Sequence, residues 1–138
     1  MGMRDYAVDD YGMHLTSEVL KAIASKKYGD YDEQSFERDY YDIAQRLYEA
    51  GIIEYISDFT GEAYELDNNG NTKWESSEYY DYDVIYYIPL KKHSTLFKAA
   101  YNSMNEIVKE LREQLQEYLP DDFFYEAYLA HIVGTYFG

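Results

Sequence analysis

The sequence predicts one α+β domain over residues 1–138: an N-terminal helical hairpin, a three- to four-stranded antiparallel sheet and two C-terminal helices. Three observations predict this order. Apolar residues recur at helical spacing up to about residue 50, alternate with polar residues between about 52 and 90, and return to helical spacing from about 94. Helices and strands that are segregated along the chain are typical of α+β domains.

The first 15 residues are predicted to form a loosely held segment that leads into the helical hairpin. Thr16 is of a type that caps helices, and it precedes a helix predicted over 17–28 that Gly29 would end. A second helix is predicted over 33–50, with Gly51 as its stop. The predicted buried residues are Val19, Leu20, Ile23 and Ala24 in the first helix, and Phe36, Tyr40, Ile43, Ala44 and Leu47 in the second.

Alternation of apolar and polar residues predicts the strands. They are expected over 52–59, 62–66, 72–76 and 79–90, with a first turn at Thr60-Gly61. A second turn over 68–71 has the sequence Asn-Asn-Gly-Asn, which is typical of hairpins because Asn and Gly tolerate positive φ. In the last strand, alternation assigns Tyr80, Tyr82, Val84, Tyr86 and Ile88 to one face, and Tyr79, Asp81, Asp83, Ile85 and Tyr87 to the other.

Two further helices are predicted after the sheet. The first would begin after Ser94 and end before Pro120, with an apolar stripe that includes Ile107, Leu111 and Leu115. Asp121 is predicted to cap the last helix, over 122–136.

Acidic residues are concentrated in the middle of the chain. The net charge is −15, and the stretch 28–88 has sixteen Asp and Glu residues against Arg38, Arg46 and Lys73. The same stretch contains twelve of the 19 tyrosines. A surface of one sign attracts cationic partners and repels nucleic acid and anionic membranes. The composition therefore predicts a binding surface for a basic protein.

No sequence motif indicates catalysis, a cofactor or a metal. The absence of cysteine excludes thiol nucleophiles, disulfides and cysteine-ligated zinc. The histidines, His14, His93 and His131, lack metal-ligand spacing, and His131 is expected to be a packed or a surface imidazole on the last helix. The N-terminus lacks the apolar stretch of a secretory signal, and no apolar run is long enough to span a bilayer. We therefore expect a non-enzymatic cytoplasmic protein without a cofactor.

Residues 15–90 resemble a winged-helix layout, because two helices are followed by LYEAGIIEYISDFTGEAYEL (47–66) and a hairpin turn. A DNA-binding winged helix carries Arg and Lys along its second helix and its wing, where they neutralise phosphates. Here both segments are acidic, and Lys73 is the one base of the hairpin. The charge therefore argues against direct DNA binding, and a winged-helix-like regulatory domain is kept as an alternative.

Small size, lack of motifs, localised acidity and many tyrosines resemble, as a class, the acidic DNA mimics among anti-CRISPR and anti-restriction proteins of phages and mobile elements. The resemblance implies an inhibitor in the host bacterial cytoplasm that docks on the cationic channel of a nuclease. Its carboxylates would replace phosphates, and tyrosine rings would anchor it. The residues predicted to bind the partner are Asp58, Glu62, Glu65, Asp67, Glu75, Glu78, Tyr79, Asp81, Tyr82 and Asp83.

Two other functions stay open. An adaptor or assembly protein, for instance a homodimer, would also bind a basic protein. Its contact would be the long helix, where Glu106, Glu110, Glu113 and Glu117 form a ridge, although a solvated helix face is the simpler interpretation of that ridge. An enzyme built on paired carboxylates would need a concave site that perturbs their pKa values.

Overall fold

A computed structural model describes residues 5–29, 33–90 and 104–137. The elements in chain order are β1 (Asp5–His14), α1 (Ser17–Tyr28), α2 (Glu33–Glu49), β2 (Glu54–Leu66), β3 (Thr72–Pro89), α3 (Met104–Gln114), a 3-10 turn (Tyr125–Tyr128) and β4 (Leu129–Phe137). The strands pair antiparallel, and the sheet closes on itself in the order β1-β3-β2-β4. The structure is α+β, but the predicted order of elements is wrong, because a strand precedes the helical pair and another ends the described chain.

β1 belongs to the sheet, so the prediction of a loosely held segment over 1–15 is wrong for residues 5–14, and residues 1–4 lie outside the described chain. β1 pairs along most of its length with β4, beginning with Asp5 opposite Phe137. Its last three residues also pair with β3. Tyr11 and Met13 are buried against the helices, while Val8 points into the closed sheet. The second half of this strand is therefore covered on both faces, whereas Asp5, Tyr6 and Ala7 are exposed.

The helices α1 and α2 lie where the sequence predicts them. Thr16 Oγ1 accepts a hydrogen bond from the Val19 amide at 3.4 Å, which confirms the N-cap. Gly29 and Gly51 follow the two helices with φ of 97° and 75°. The predicted stripe of α1 is buried, as are Ile43, Ala44 and Leu47 of α2. Phe36 of the predicted stripe lies outside the described side chains.

The strands β2 and β3 form one long hairpin. Its turn contains Gly70 with φ of 75°, which confirms the predicted turn at 68–71. The predicted Thr60-Gly61 turn is wrong, because these residues lie within β2, where Gly61 is opposite Gly134 of β4. A Cβ atom on Gly61 would be 2.2 Å from the carbonyl oxygen of Val133, so the two strands approach too closely for a side chain. The four predicted short strands are therefore two long ones.

The helix predicted over 122–136 is wrong as well. The chain forms a 3-10 turn and then β4, which pairs with β1 on one edge and with β2 on the other. Ala130, His131 and Ile132 are consecutive buried residues, so the alternating signature of a strand is missing. Among the described residues one helix, α3, follows the hairpin instead of two. The start predicted after Ser94 lies outside the described residues.

Buried apolar residues form two clusters. One fills the space between the sheet and the three helices, and the other lies inside the closed sheet with a contribution from each strand. The first includes Met13, Leu20, Ile43, Ile88 and Leu111. The second includes Val8, Phe59, Tyr80, Ile85, Tyr87 and Ile132. One face of the β2–β3 hairpin contributes side chains to the interior of the closed sheet. The predicted binding residues lie at other positions of the same hairpin.

Candidate acidic interaction surface

The ten predicted binding residues all lie on the β2–β3 hairpin, but the fold does not bring them to one place. Over residues 54–89 nine carboxylates accompany a single basic residue, Lys73. Side-chain alternation and three register shifts between the paired strands divide them into groups. These are Asp58 with Asp81, Tyr82 and Asp83; Glu62 with Tyr79; Glu65 and Glu78 on the opposite face; Asp67 at the turn; and Glu75, which is exposed.

The group Asp58, Asp81, Tyr82 and Asp83 is named the acidic bulge. β2 and β3 change register here, since Phe59 lies opposite Asp83 but Gly61 lies opposite Tyr80. Asp58 and Tyr82 have φ of 55° and 54°. This left-handed conformation costs a non-glycine residue about 1–2 kcal/mol. Bulges re-aim side chains and are recurrent beside functional sites.

The bulge turns a run of β3 outward. Tyr80 and Ile85 are both buried although they are five positions apart, a spacing that puts two residues of a regular strand on opposite faces, and the four residues between them are all exposed. The predicted division of this strand into two regular faces is therefore wrong. Two hydrogen bonds hold the outward run: the Tyr82 amide donates to Thr60 Oγ1 at 3.2 Å, and the Asp81 amide donates to Asp83 Oδ2 at 3.1 Å.

The acidic bulge has no local countercharge. Among the described residues, no Lys, Arg or His nitrogen lies within 4.0 Å of the carboxylates of Asp58, Asp81 or Asp83. Tyr82 exposes 69% of its surface beside them. An exposed phenol ring next to free carboxylates offers a cation both a charge and a π-face.

A second part of the surface is aromatic. Glu62 lies opposite Tyr79, which is 62% exposed. The Tyr64 hydroxyl donates a hydrogen bond to the Glu62 carboxylate, which raises the pKa of Tyr64. Trp74, which sequence reasoning did not select, packs edge-on against Tyr64 at 4.9 Å between ring centroids and is 63% exposed. As the chain's one tryptophan within a predicted strand, it offered a signal that the charge argument overlooked.

Glu65 and Asp67 have partners within the hairpin. Ser76 Oγ donates to the Glu65 carboxylate at 2.5 Å, and Lys73 Nζ lies 3.6 Å from it. The hydrogen bond from Ser76 lowers the pKa of Glu65. Asp67 Oδ1 accepts hydrogen bonds from two amides of the turn, at 2.8 and 2.9 Å. Both residues therefore stabilise the hairpin in addition to contributing charge.

Glu78 faces a histidine that lies partly buried between β1 and β3. Its carboxylate is 3.6 Å from His14 Nδ1, and the other ring nitrogen is 2.5 Å from the Tyr80 hydroxyl. Burial lowers the pKa of His14, and the charge of Glu78 opposes this shift. The folded chain therefore binds this proton less readily than the unfolded chain. All three residues contribute to a structural polar contact, so Glu78 is also partly committed within the fold.

The structure brings together a polar network that the sequence analysis missed. Asp9 Oδ1 lies 2.5 Å from His131 Nε2, and His131 Nδ1 lies 2.7 Å from Thr72 Oγ1. The Tyr11 hydroxyl is 3.1 Å from the same Thr72 oxygen, and its ring stacks on His131 at 4.3 Å. The order carboxylate, imidazole, hydroxyl is that of a nucleophile triad. However, His131 and Tyr11 are 7% and 8% exposed, and no cavity described below is lined by Thr72. The network therefore fastens β1 and β4 to the end of the hairpin.

Two of the cavities at the sheet have acidic walls. The larger, of about 790 Å³, is lined by the middle of β1, the start of β2 and the ends of β3 and β4, and Asp9, Asp10 and Glu54 are among its lining residues. The Tyr87 hydroxyl donates a hydrogen bond to Asp10 Oδ2 at 2.5 Å. The pKa of Tyr87 is raised, mainly by burial and also by this hydrogen bond. The smaller, of about 200 Å³, is lined in part by His14, Glu65 and Glu78. Both walls are acidic, so they extend the negative field beyond the outer face of the hairpin.

Within the described ranges, no three His, Asp or Glu side chains are grouped closely enough to bind a metal ion. No helix of the described residues has both the length and the apolar composition that a bilayer crossing requires. In comparisons with known proteins, no protein-family model, no curated protein and no solved structure matches this chain.

Proposed function

We propose that this protein is a non-enzymatic acidic inhibitor that binds a basic, nucleic-acid-binding protein and occupies its DNA or RNA site. The partner class that fits this action is a CRISPR or restriction nuclease in a bacterial cytoplasm. The observation that supports the proposal most directly is the acidic bulge: three carboxylates and an exposed tyrosine without a described basic neighbour.

Charge density is the first requirement for a phosphate mimic. One DNA strand presents a charge about every 3.4 Å along the axis. Same-face side chains of a regular strand are about 6.6 Å apart, which is too sparse for one strand to imitate phosphates. The acidic bulge does not depend on one strand, because Asp81 and Asp83 belong to β3 and Asp58 lies on the adjacent strand β2.

Retention in the partner's site is the second requirement. Surface charges steer encounters and set specificity, but buried aromatic contacts supply much of the affinity at protein interfaces. Tyr82, Tyr79 and Trp74 are each more than 60% exposed and lie on the same hairpin as the carboxylates. Their ring faces suit arginine and lysine side chains, which line nucleic-acid channels. In this proposal Glu65, Asp67 and Glu78 contribute mainly to the field, since Glu65 and Asp67 accept hydrogen bonds within the fold and Glu78 lies 3.6 Å from His14 Nδ1.

The test begins with capture of partners from a bacterial host lysate at low and at high salt, followed by nuclease assays on the proteins recovered. The double variant Asp81→Lys/Asp83→Lys reverses the charge of the acidic bulge. We expect it to weaken binding roughly tenfold or more, because attraction becomes repulsion across a close interface. The matched control, Asp121→Lys/Asp122→Lys, makes the same change in net charge at two exposed positions outside the hairpin.

The two variants distinguish a local site from a general charge effect. The proposal predicts that the control binds within about threefold of the unaltered protein, since a distant surface charge has little local effect at physiological salt. Equal weakening by both variants would show that net charge alone drives association. Binding unaffected by either variant would remove the acidic bulge from the interface. A captured partner that binds tightly but has no nucleic-acid site would favour the adaptor function.

A further inference from the structure

A groove lined by tyrosines lies between α2 and the paired strands β2 and β3. Its volume is about 330 Å³. Four of the six residues that line it are tyrosines, and none is charged. They are Tyr41, Ala44, Gln45, Tyr48, Tyr55 and Tyr86. The groove is separate from the acidic bulge, and no sequence pattern singled it out.

The rings form the walls of the groove at different angles. Tyr48 and Tyr55 meet edge-to-face, with 6.2 Å between centroids, and Tyr55 and Tyr86 are tilted by 48° at 5.1 Å. The outermost wall, Tyr41, is 76% exposed, while Tyr48 and Tyr55 are nearly half exposed. Rings presented in several orientations around an open space can surround a bound group with their π-faces.

The phenol groups approach one another at the inner end. Burial raises the pKa of Tyr86, and the neighbouring phenols of Tyr55, Tyr40 and Tyr41 raise it further. Several phenols therefore lie close enough to act on the Tyr86 hydroxyl, and the face of each aromatic ring attracts a cation.

No basic side chain that the structure describes lines this space. Arg46, the basic residue of α2 nearest in sequence to the lining residues, is directed elsewhere: its Nε is 3.1 Å from Asp42, and its guanidinium lies over the Tyr28 ring at 5.5 Å. The rim carries Glu49, which is exposed and whose Oε1 accepts a hydrogen bond from Nε2 of the lining residue Gln45 at 3.1 Å. The groove therefore combines aromatic walls with an acidic rim on a chain of net charge −15.

We propose that this tyrosine groove receives the cationic side chain, lysine or arginine, of a protein partner. The rings supply cation–π attraction, and the acidic rim supplies charge complementarity. The volume is at the lower end of the range for ligand sites, and the outer wall is open, which suits a side chain presented by an approaching surface. The inference goes beyond the proposed inhibition, because it requires a basic partner but not a nucleic-acid site.

The test uses a blocked arginine, N-acetyl-arginine amide, titrated into the full chain with isotope-labelled tyrosines and followed by NMR. The matched probe is N-acetyl-citrulline amide, which has nearly the same shape but a neutral urea in place of guanidinium. The arginine probe is expected to shift the ring signals of Tyr41, Tyr48 and Tyr55 in a saturable way. The citrulline probe is expected to bind at least severalfold more weakly, because it lacks the charge that the rings attract.

Variants at the most exposed wall leave the fold intact. Tyr41→Ala is expected to weaken the arginine probe roughly two- to thirtyfold, the range that one cation–π contact spans. Tyr41→Phe keeps the ring face and is expected to bind within about twofold of the unaltered chain. Phe124→Ala removes a 66% exposed ring outside both the groove and the hairpin and is expected to leave binding of the arginine probe unchanged.

Several results would overturn the inference. Equal binding of the citrulline probe would mean that the groove selects shape and not charge. Loss of binding in Tyr41→Phe as large as in Tyr41→Ala would assign the contact to the hydroxyl. The absence of any saturable shift with the arginine probe would remove the site, while leaving the test of the acidic bulge unaffected.

Discussion

Gly134 is the position where β4 crosses β2 most closely, and its replacement tests whether the end of the chain is a strand. A Cβ atom there would lie 2.4 Å from the Thr60 carbonyl oxygen, 2.8 Å from Gly61 Cα and 2.8 Å from the Phe59 ring. Ordinary carbon contacts begin near 3.5 Å, so the strands would have to separate by roughly 1 Å. Two of the three obstructing atoms belong to the backbone and have no rotamer to change.

Overpacking of this kind costs about 1–3 kcal/mol, and backbone obstruction favours the upper part of that range. For a chain of 138 residues, 1 kcal/mol corresponds to about 3–4 °C in Tm. We therefore expect Gly134→Ala to lower Tm by roughly 3–10 °C. The assay is thermal and urea unfolding followed by circular dichroism, with unchanged m-values as the check that the unfolded state is the same.

Ser77→Ala is the control, since Ser77 is exposed on β3 and its replacement adds no atom to a contact. A surface change of this type is expected to stay within about 0.5 kcal/mol. If Gly134→Ala were as stable as Ser77→Ala, β2 and β4 could not approach each other as closely at Gly134 as the structure has them. A helix over 122–136 would predict the opposite sign, because alanine is the better helix former.

Three further changes test local contacts. Because burial lowers the pKa of His14, its contribution to the free energy of unfolding is complete above about pH 6.5 and is lost as pH falls through the lower folded pKa. His14→Gln should therefore reduce the loss of stability against urea between pH 7.5 and 5.5. An unchanged dependence of stability on pH would contradict the lowered pKa. Asp67→Ala removes the acceptor of two turn amides and should lower the free energy of unfolding, measured in urea, by about 0.5–2 kcal/mol. The control Asp81→Ala, at an exposed position, should change it by less than about 0.5 kcal/mol. Thr72→Val removes the hydroxyl shared by Tyr11 and His131 and should cost about 1–3 kcal/mol; a neutral outcome would mean that the network does not fasten β1 and β4.

Local signals were sufficient for α1, α2 and the hairpin turn. Thr16 has a capping side chain, Gly29 and Gly51 adopt positive φ, and the Asn-Asn-Gly-Asn turn has few alternatives. Each of these depends on residues within a few positions of one another. Such features can be read without knowing which distant segment packs against them.

The strands β1 and β4 pair with each other, and the sequence analysis predicted neither of them. In β1, Tyr11 and Met13 face the helices while Val8 faces the interior, and three Asp residues lie among them. In β4, Ala130 to Ile132 are all buried, so apolar positions do not alternate. A strand covered on both faces loses the period-two pattern, and a short apolar run then resembles a helix.

The candidate site likewise has some features that the sequence predicted and others that it did not. The acidity of the hairpin and its tyrosines follow from composition, and they were predicted. The acidic bulge was not, because the positive φ of Asp58 and Tyr82 is set by the mismatch between two paired strands. One inserted residue reverses every face assignment beyond it, so residues beyond Tyr80 were placed on the wrong sides. The tyrosine groove is lined by residues of α2 and of two strands, and no short sequence pattern predicts that these segments meet.

Exclusivity of binding is the central claim of the proposed inhibition. The most direct measurement mixes a captured partner, its fluorescent DNA or guide RNA and increasing amounts of this protein, and follows nucleic-acid anisotropy together with the mass of each complex. The account predicts stoichiometric displacement of the nucleic acid, no complex that contains all three components, and loss of displacement in Asp81→Lys/Asp83→Lys. A stable ternary complex, with the nucleic acid still bound at saturation, would contradict it.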